Sequence, residues 1–380
     1  MSLRNRHLVD RTYIQFNQEL WRKVTLKTLR FYPTKLSPCG YTDIINCYTG
    51  AKKRAYFNAW ESLKQTGYLD KFSRIRMFVK PDRIAVDDIK TKDPRAIQYR
   101  FMEYNLELSR YIKPFEHYIY QNLTYGVISD TRVIVKGLNP IQRAELLVEK
   151  STYFNDPLYV LLDHSKFDST INVQHLMSTH RKYQRAFRSQ YLQRLLKAQL
   201  HNKGYTKHGI KYTATGTRMS GDPDTGCGNS VINADALFGF LYYSGVTKYD
   251  YVLDGDDSVV IIEKVDYPKL KPELFKALGF ETKMEIATDI QQAEFCQSRI
   301  VFTPSPVFVR NPCRVISHSQ VCLKSYPAKL LPRWLAAVGE CELSLNQGVP
   351  ILQSFGHQLA SISKIKLYDD EYKWKIQNLP

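Results

Sequence analysis

The sequence predicts an α+β fold in which antiparallel strands are backed by helices. A continuous apolar run at 158–162 ends in Asp163 and reads as a buried strand with a carboxylate at its edge. Two further apolar runs, 249–253 and 258–262, are joined by Asp254-Gly255-Asp256-Asp257. Asp-Gly between such runs is a strong hairpin signal. Between the first run and this hairpin, Thr225 to Tyr243 reads as a helix.

The remaining elements follow in chain order. The first 70 residues read as mainly helical, with Phe16, Leu20, Val24, Leu26 and Leu29 in a basic stretch and Ala55, Trp60 and Leu63 farther on. Such a stripe packs onto the body of a protein more often than it lies on a membrane surface. After the hairpin come a helix around 267–278, short strands around 280–286 and 293–302, and a mostly helical tail beyond Pro327. No repeat, low-complexity tract or flexible linker divides the chain, so one body with subdomains is expected.

A chain of 380 residues with 43% hydrophobic and 24% charged residues can bury a real core. Its formal charge is +17, and residues 1–115 hold 23 Lys and Arg against 11 Asp and Glu, a net of +12. A basic surface concentrates polyanions and releases counterions when phosphates dock, so nucleic acid leads among partners. Solubility or a membrane-facing surface would leave the same charge signature. Seven cysteines without a C-x-x-C pair argue against a disulfide framework or a zinc ribbon, and reduced thiols in a cytosolic compartment are the default. No apolar run approaches the roughly 20 residues needed to span a bilayer, and the first residues lack the apolar core of a signal peptide. The chain is therefore expected to be soluble by itself.

The acids carry the chemistry. Nucleotidyl transfer uses two Mg²⁺ ions about 3.5–4 Å apart, and Mg²⁺ keeps several waters, so two or three carboxylates suffice beside the substrate phosphates. Asp163 at one strand end and Asp256 and Asp257 at a hairpin tip supply them if the strands are neighbours. An acidic hairpin tip alone is equally a solvated turn. Thr225, Asn229 and Asn233 recur every four residues and place a polar stripe on one helix face, which can face a nucleotide. Gly221, Gly226 and Gly228 leave room for close approach of a template or a neighbouring strand.

Taken in order, these segments resemble the polymerase motifs of positive-strand RNA viruses, closest to the tombusvirus-like group. Residues 162–168, with Asp163 and Asp168 five apart, resemble motif A; 220–229, Ser-Gly-x3-Thr-x3-Asn, resemble motif B; Gly255-Asp256-Asp257 is motif C. The resemblance runs from about residue 48 to about 302. It implies a right hand, with residues 1–155 mostly fingers, 156–302 palm with a finger insertion near 175–215, and 303–380 thumb. It implies an RNA-dependent RNA polymerase with Asp163, Asp256 and Asp257 as metal ligands for Mg²⁺, for which Mn²⁺ can substitute. Asp168, Ser220, Thr225 and Asn229 would recognise the 2′-hydroxyl of the incoming nucleotide. A hydrogen-bonding set rather than a bulky aromatic gate points to ribonucleotides.

Outside the metal site, residues 78–81 and 92–98 with Arg100 resemble motif F. Lys80, Lys92, Arg95 and Arg100 would meet the triphosphate there, the guanidiniums by bidentate contact. Pro81-Asp82 stands where Ala/Pro-Glu is common, which weakens any role around Asp82. Residues 48–54 resemble motif G, where Lys52, Lys53 and Arg54, with Gly221 of motif B, would hold RNA. Lys136-Gly137-Leu138-Asn139 adds to the resemblance as fingers structure without a catalytic role. Lys283 in 279–285, which resemble motif D, is the candidate general acid for the pyrophosphate. Residues 294–297 resemble motif E, with Cys296 a packed thiol. For the basic segments of motifs F and G, a solvated surface cluster is the plain alternative.

The expected partners are RNA template and product, NTPs and other viral replication proteins. The expected location is the host cytoplasm, in membrane-associated replication complexes anchored by a partner or another region. Two other classes remain open on the residues alone. A non-catalytic RNA-binding protein could use the basic surface and 26 tyrosines for phosphate contacts and base stacking. A metal-dependent nuclease could use the acids, although no nuclease motif orders these segments, and no Walker A loop is present.

Overall fold

The computed structural model describes residues 15–367 apart from 83, 85, 87–89 and 91, together with residues 3 and 8. Most of the first 14 residues of the expected fingers and the last 13 of the expected thumb lie outside the described residues. From Gln18 the described residues form helices α1 (Gln18–Thr28), α2 (Tyr41–Asn46) and α3 (Gly50–Thr66), as the apolar stripe predicts. Asn17 caps α1 by accepting from the Leu20 amide at 2.9 Å.

Strands β1 (Ile75–Val79) and β2 (Ala96–Tyr99) precede helices α4 (Met102–Asn122) and α5 (Pro140–Ser151). Helix α5 starts from a capping box of Asn139 and Gln142, with Pro140 in its first turn. Strand β3 (Pro157–His164) leads through one helical turn, Phe167–Thr170, to α6 (Val173–Phe187), α7 (Gln190–Lys197), β4 (His201–Thr206) and β5 (Lys211–Thr215). Strands β4 and β5 do not join β3. They extend the β1–β2 pair into a sheet of order β2-β1-β4-β5, in which β1 and β4 run parallel.

Helix α8 (Thr225–Ser244) is followed by the hairpin β6 (Tyr249–Asp254) and β7 (Asp257–Glu263), then α9 (Glu273–Leu278) and β8 (Thr282–Ala287). The central sheet has the order β6-β7-β3-β8, with every neighbour antiparallel. Strands β6 and β7 are buried on both faces, which is why their sequences are continuous rather than alternating apolar runs. One face packs against α8 and α1 in the largest core cluster; the other meets α5 and a second hairpin, β9 (Ser298–Phe302) and β10 (Pro306–Arg310). Helices α10 (Pro312–Ser319), α11 (Leu331–Leu345) and α12 (Pro350–Ser361) complete the described chain.

Two expected elements change. The helix expected at 267–278 is only Glu273–Leu278, preceded by a 3₁₀ segment, Lys264–Lys269, because Pro268 and Pro272 interrupt the α-helical hydrogen bonding. The strand expected at 293–302 starts only at Ser298, because Cys296 and Gln297 take left-handed φ values of 50° and 60° and make a tight turn between Phe295 and Ser298.

Helix α8 is buried around its whole circumference, so its polar residues need partners. Asp235 is 0% exposed and accepts from Lys182 of α6, Thr28 of α1 (2.7 Å) and the Tyr125 hydroxyl (2.6 Å). Breaking such a pair from one side would leave an uncompensated buried charge, at a cost of roughly 3–5 kcal/mol. Gly239 lies where α8 meets α1: a Cβ there would stand 2.8 Å from Val24 Cγ2, so glycine permits the two helices to touch.

Candidate active site at the end of the central sheet

Register aligns four charged residues across the central sheet. Asp254 pairs with Asp257 in the hairpin, Asp163 lies one step beyond the Leu162–Ser258 pair and so beside Asp257, and Asp163 pairs with Lys283. Directly opposed residues share a sheet face, so Asp254, Asp257, Asp163 and Lys283 form one transverse row. Asp163, Asp257 and Lys283 line a cavity of 680 Å³, together with Phe295, Cys296 and Arg299. Asp256 stands apart from that wall at the hairpin tip, where Gly255 takes φ 72°. Its carboxyl is pushed up to about 6, first by burial and then by the neighbouring Asp257, Asp168 and Asp163. Asp257 is raised in the same way, by burial and then Asp163. Asp163 itself is exposed.

Desolvated acids beside one another raise the energy of their charged forms, and a bound cation removes that cost. The donors are hard carboxylate oxygens, which fit Mg²⁺ or Mn²⁺ better than a thiophilic ion. Among the described residues no three His, Cys, Asp or Glu side chains are already gathered as a metal site. The acids therefore fit a cation held by one or two carboxylates, with water and phosphate oxygens completing the shell.

The hairpin tip is clamped from beneath by α8. Asn233 Nδ2 donates to the carbonyls of Gly255 (3.0 Å) and Asp256 (3.1 Å), and Ser230 Oγ accepts from the Gly255 amide (3.1 Å). His164 Nε2 meets Asn233 Oδ1 at 3.1 Å. The polar stripe read from the sequence thus divides. Asn233 is fully buried and holds backbone rather than facing a nucleotide, and the Thr225 hydroxyl donates within its own loop, to the carbonyls of Met219 (2.7 Å) and Asp222 (2.9 Å). Asn229 reaches motif A instead: its Nδ2 donates to Asp168 Oδ1 at 2.7 Å. Burial pushes the Asp168 carboxyl up, while Asn229 and the positive charge of Arg218 pull it down.

Asp254, the fourth acid of the tip, is taken out of the cluster by two cations. Lys136 pairs with its Oδ1, and Arg143 Nη2 donates to its Oδ2 at 2.8 Å. The Lys136 segment therefore belongs to this site: Val135 N donates to the Leu253 carbonyl at 3.0 Å, and Ile134 bridges Leu253, so the segment runs alongside β6. Sequence reading assigned it to the fingers and missed Arg143 altogether.

The basic residues separate into two groups. Arg100 is 1% exposed and spends its guanidinium on Asp222 (2.8 and 3.1 Å), Asn202 (2.6 Å) and the Ser73 carbonyl (2.6 Å). The expectation that it meets a triphosphate is corrected: it ties the motif B loop to the β1–β2 region. Lys80, Lys92 and Arg95 stay exposed, with Arg95 in bidentate contact with Asp82 (2.6 and 2.8 Å) and Lys80 3.6 Å from the same carboxylate. Lys52, Lys53 and Arg54 are exposed in the first two turns of α3, and Lys52 lies 4.2 Å above the Tyr48 ring. Lys52 lines a 350 Å³ cavity with Ser220 and Gly221, so the motif G and motif B segments face each other. Ser220 Oγ accepts from the Gln98 amide (3.3 Å). A Cβ on Gly221 would stand 2.7 Å from the Gln98 carbonyl, so there the close neighbour is strand β2. Lys283 is exposed and paired with Glu285, which keeps its ammonium protonated.

The sequence matches the family of viral RNA dependent RNA polymerases over residues 3–379. The chain belongs to this family. It is 33% identical over 324 residues to the RNA-directed RNA polymerase of Tobacco necrosis virus (strain A), covering 82% of this chain and 44% of that protein. It is 32% identical over 350 residues to that of Melon necrotic spot virus (90% and 44%) and 32% over 340 residues to that of Tomato bushy stunt virus (strain Cherry) (87% and 40%). The tombusvirus-like resemblance read from the motifs is borne out. The chain spans less than half the length of these relatives. All seven cysteines are free, and no helix among the described residues is long and apolar enough to cross a membrane.

Proposed function

We propose that this chain is the polymerising core of a viral replicase, joining ribonucleotides to an RNA 3′ end as directed by an RNA template. The observation that carries the reading is the convergence, at one end of the central sheet, of Asp163, Asp256 and Asp257 with the Asp168–Asn229 pair. Asp163, Asp256 and Asp257 would hold Mg²⁺, or Mn²⁺ in its place. When bound, the two cations activate the attacking 3′-hydroxyl and offset the charge of the departing pyrophosphate. Asp168 and Asn229, with the nearby Ser220 loop, orient the ribose. Exposed Lys80, Lys92 and Arg95 receive the triphosphate, and Lys52, Lys53 and Arg54 receive the template backbone. Lys283, kept protonated by Glu285 and standing beside Asp163 in the sheet, gives its proton to the pyrophosphate, a contribution typically worth about 10²–10⁴ in rate.

In this reading residues 1–155 are mostly fingers, and β4–β5, which join the β1–β2 sheet, belong to the finger insertion of a palm at 156–302. Residues 303–380 form the thumb. The partners are RNA, NTPs and other viral replication proteins, in membrane-associated complexes of the host cytoplasm. A membrane anchor would come from a partner or from a region outside this chain.

The deciding experiment is RNA-templated nucleotide incorporation with Mg²⁺, wild type against Asp256→Ala, with RNA binding measured in parallel. Loss of incorporation with binding retained is expected. Equal incorporation would overturn the proposal, and Mg²⁺-dependent RNA binding without synthesis in the wild type would favour a non-catalytic RNA-binding protein.

A further inference from the structure

Beneath the Asp168–Asn229 pair lies a residue the motifs do not assign. Arg218 is 1% exposed, in the loop between β5 and α8. Its Nη1 donates to Asp224 Oδ2 at 2.7 Å, and its Nε donates to Asn229 Oδ1 at 3.3 Å. Asp224 is anchored in turn by Gln199 Nε2 at 2.8 Å. The Arg218 amide donates to the Asp168 carbonyl at 2.7 Å, so one residue touches both members of the pair. Gly228 supplies the space: a Cβ there would fall on the guanidinium.

A carboxamide has two ends of opposite character, and rotation by half a turn exchanges them. Asn229 can donate to Asp168 only while its Oδ1 points the other way, and Arg218 Nε supplies a donor at that Oδ1. Were the amide to turn over, Oδ1 would face the Asp168 carboxylate, acceptor against acceptor, and Nδ2 would face a guanidinium, donor against donor. With the amide held, Asp168 Oδ1 is occupied by Asn229, which leaves Oδ2 to accept from a hydroxyl. We infer that Arg218 is a positioning residue for sugar selection: it fixes the Asn229 amide, and through it the Asp168 carboxylate, in the one arrangement that accepts a ribose 2′-hydroxyl. This deepens the proposed function and rests on it for the identity of the substrate.

Lysine at 218 keeps a cation for Asp224, but its single ammonium cannot also present the fixed Nε–H to Asn229. The test is single-nucleotide incorporation on a primed RNA template with rNTP and the matching 2′-deoxy-NTP, for wild type, Arg218→Lys, Asn229→Ala and the double variant. A hydrogen bond to a charged group typically supports about tenfold or more in discrimination. The rNTP/dNTP ratio of kcat/KM is therefore expected to fall about tenfold in Arg218→Lys, through the rNTP values. The double variant should lose no more selectivity than Asn229→Ala, because Arg218 acts through Asn229. Gly228→Ala, which displaces the guanidinium without removing its charge, should lower the ratio too and serves if Arg218→Lys does not fold.

A ratio unchanged in both variants, equal losses with rNTP and dNTP, or additive losses in the double variant would each overturn the inference. A wild type that makes no RNA would remove the reading it rests on. A wild type that prefers ribonucleotides, with that preference intact in Arg218→Lys and Gly228→Ala, would remove this inference alone.

Discussion

Three buried histidines make the fold sensitive to acid, and the size of the effect can be worked from their surroundings. His164, His175 and His180 are 2%, 0% and 8% exposed, and burial pushes each down to about 4 from an ordinary 6.5. His175 shows why. Its Nε2 donates to the Leu278 carbonyl (2.9 Å), its Nδ1 accepts from the Asn172 amide (3.1 Å), and its ring stacks on Phe280 at 4.9 Å. A second proton would turn the Nδ1 acceptor into a donor aimed at another donor. The folded pKa lies below the unfolded one, so the unfolded chain binds more protons, and the stability present above pH 6.5 is lost as pH falls toward 4. At pH 5.5 each histidine accounts for about 1.4 kcal/mol, and the three for about 4 kcal/mol, a large share of a typical 5–15 kcal/mol. Asp256 works the other way. Raised to about 6, it takes up a proton more readily when folded and adds roughly 1 kcal/mol on the same acidification. The informative quantity is therefore a difference between variants. Urea unfolding of wild type and His175→Gln at pH 8 and pH 5.5 should show the pH-dependent loss smaller by about 1.4 kcal/mol in the variant. The same loss in both proteins would refute the reasoning.

Two other outcomes follow from the ion pairs. In Arg143→Met, Asp254 keeps only Lys136 in a site where its own side chain is 14% exposed, so the hairpin tip should lose about 2 kcal/mol and nucleotide incorporation should fall. Adding Asp254→Asn should restore part of both, since no buried charge is then left under-compensated; a double variant worse than the single would exclude a charge origin. Asp82→Asn releases Arg95 from an exposed pair, so stability should change by less than about 1 kcal/mol. The released guanidinium should lower the apparent KM for NTP if Arg95 receives the triphosphate, and an unchanged KM would remove Arg95 from that role.

The parts of the site that could be read from sequence are local ones. A strand ending in Asp163, an Asp-Gly hairpin and a helix opening at Thr225 are each written within ten to twenty residues, and each stands close to where it was expected. The contacts that hold those parts together escaped because the partners are far apart along the chain. Asn233 and Gly255 are 22 residues apart, Arg143 and Asp254 are 111, and Arg100 and Asp222 are 122. Nothing local separates Arg100, which is buried, from Arg95, five positions earlier and exposed. One signal could have found Arg218. A basic residue two positions before Ser220-Gly221, in a loop that also carries Asp222 and Asp224, has acids within reach before any phosphate arrives. Strand β10 escaped for another reason: Pro304 and Pro306 argue against a strand, yet Pro306 is the first residue of an edge strand, where no amide is required.

The same division of charges sharpens the first inference drawn from composition. Among the described residues, Arg100–Asp222, Lys150–Asp250, Lys182–Asp235 and Arg218–Asp224 are ion pairs in which neither side chain is more than 2% exposed. Each pair removes one positive and one negative charge from the surface, so together they leave the formal +17 intact while reducing the number of charges that solvent can reach. The excess must then be carried by residues outside these pairs, of which Lys52, Lys53, Arg54, Lys80, Lys92 and Arg95 are exposed examples. Exposed positive groups of this kind attract a polyanion and release its counterions. The buried acids of those pairs are neutralised from within, whereas Asp256 and Asp257 are raised by burial and by neighbouring acids, and Lys283, beside Asp163, is itself paired with Glu285. A chain that matches those buried acids with a lysine or arginine and leaves Asp256 and Asp257 raised beside Asp163 keeps a local demand for positive charge at the end of the central sheet, where the proposed function puts a divalent cation.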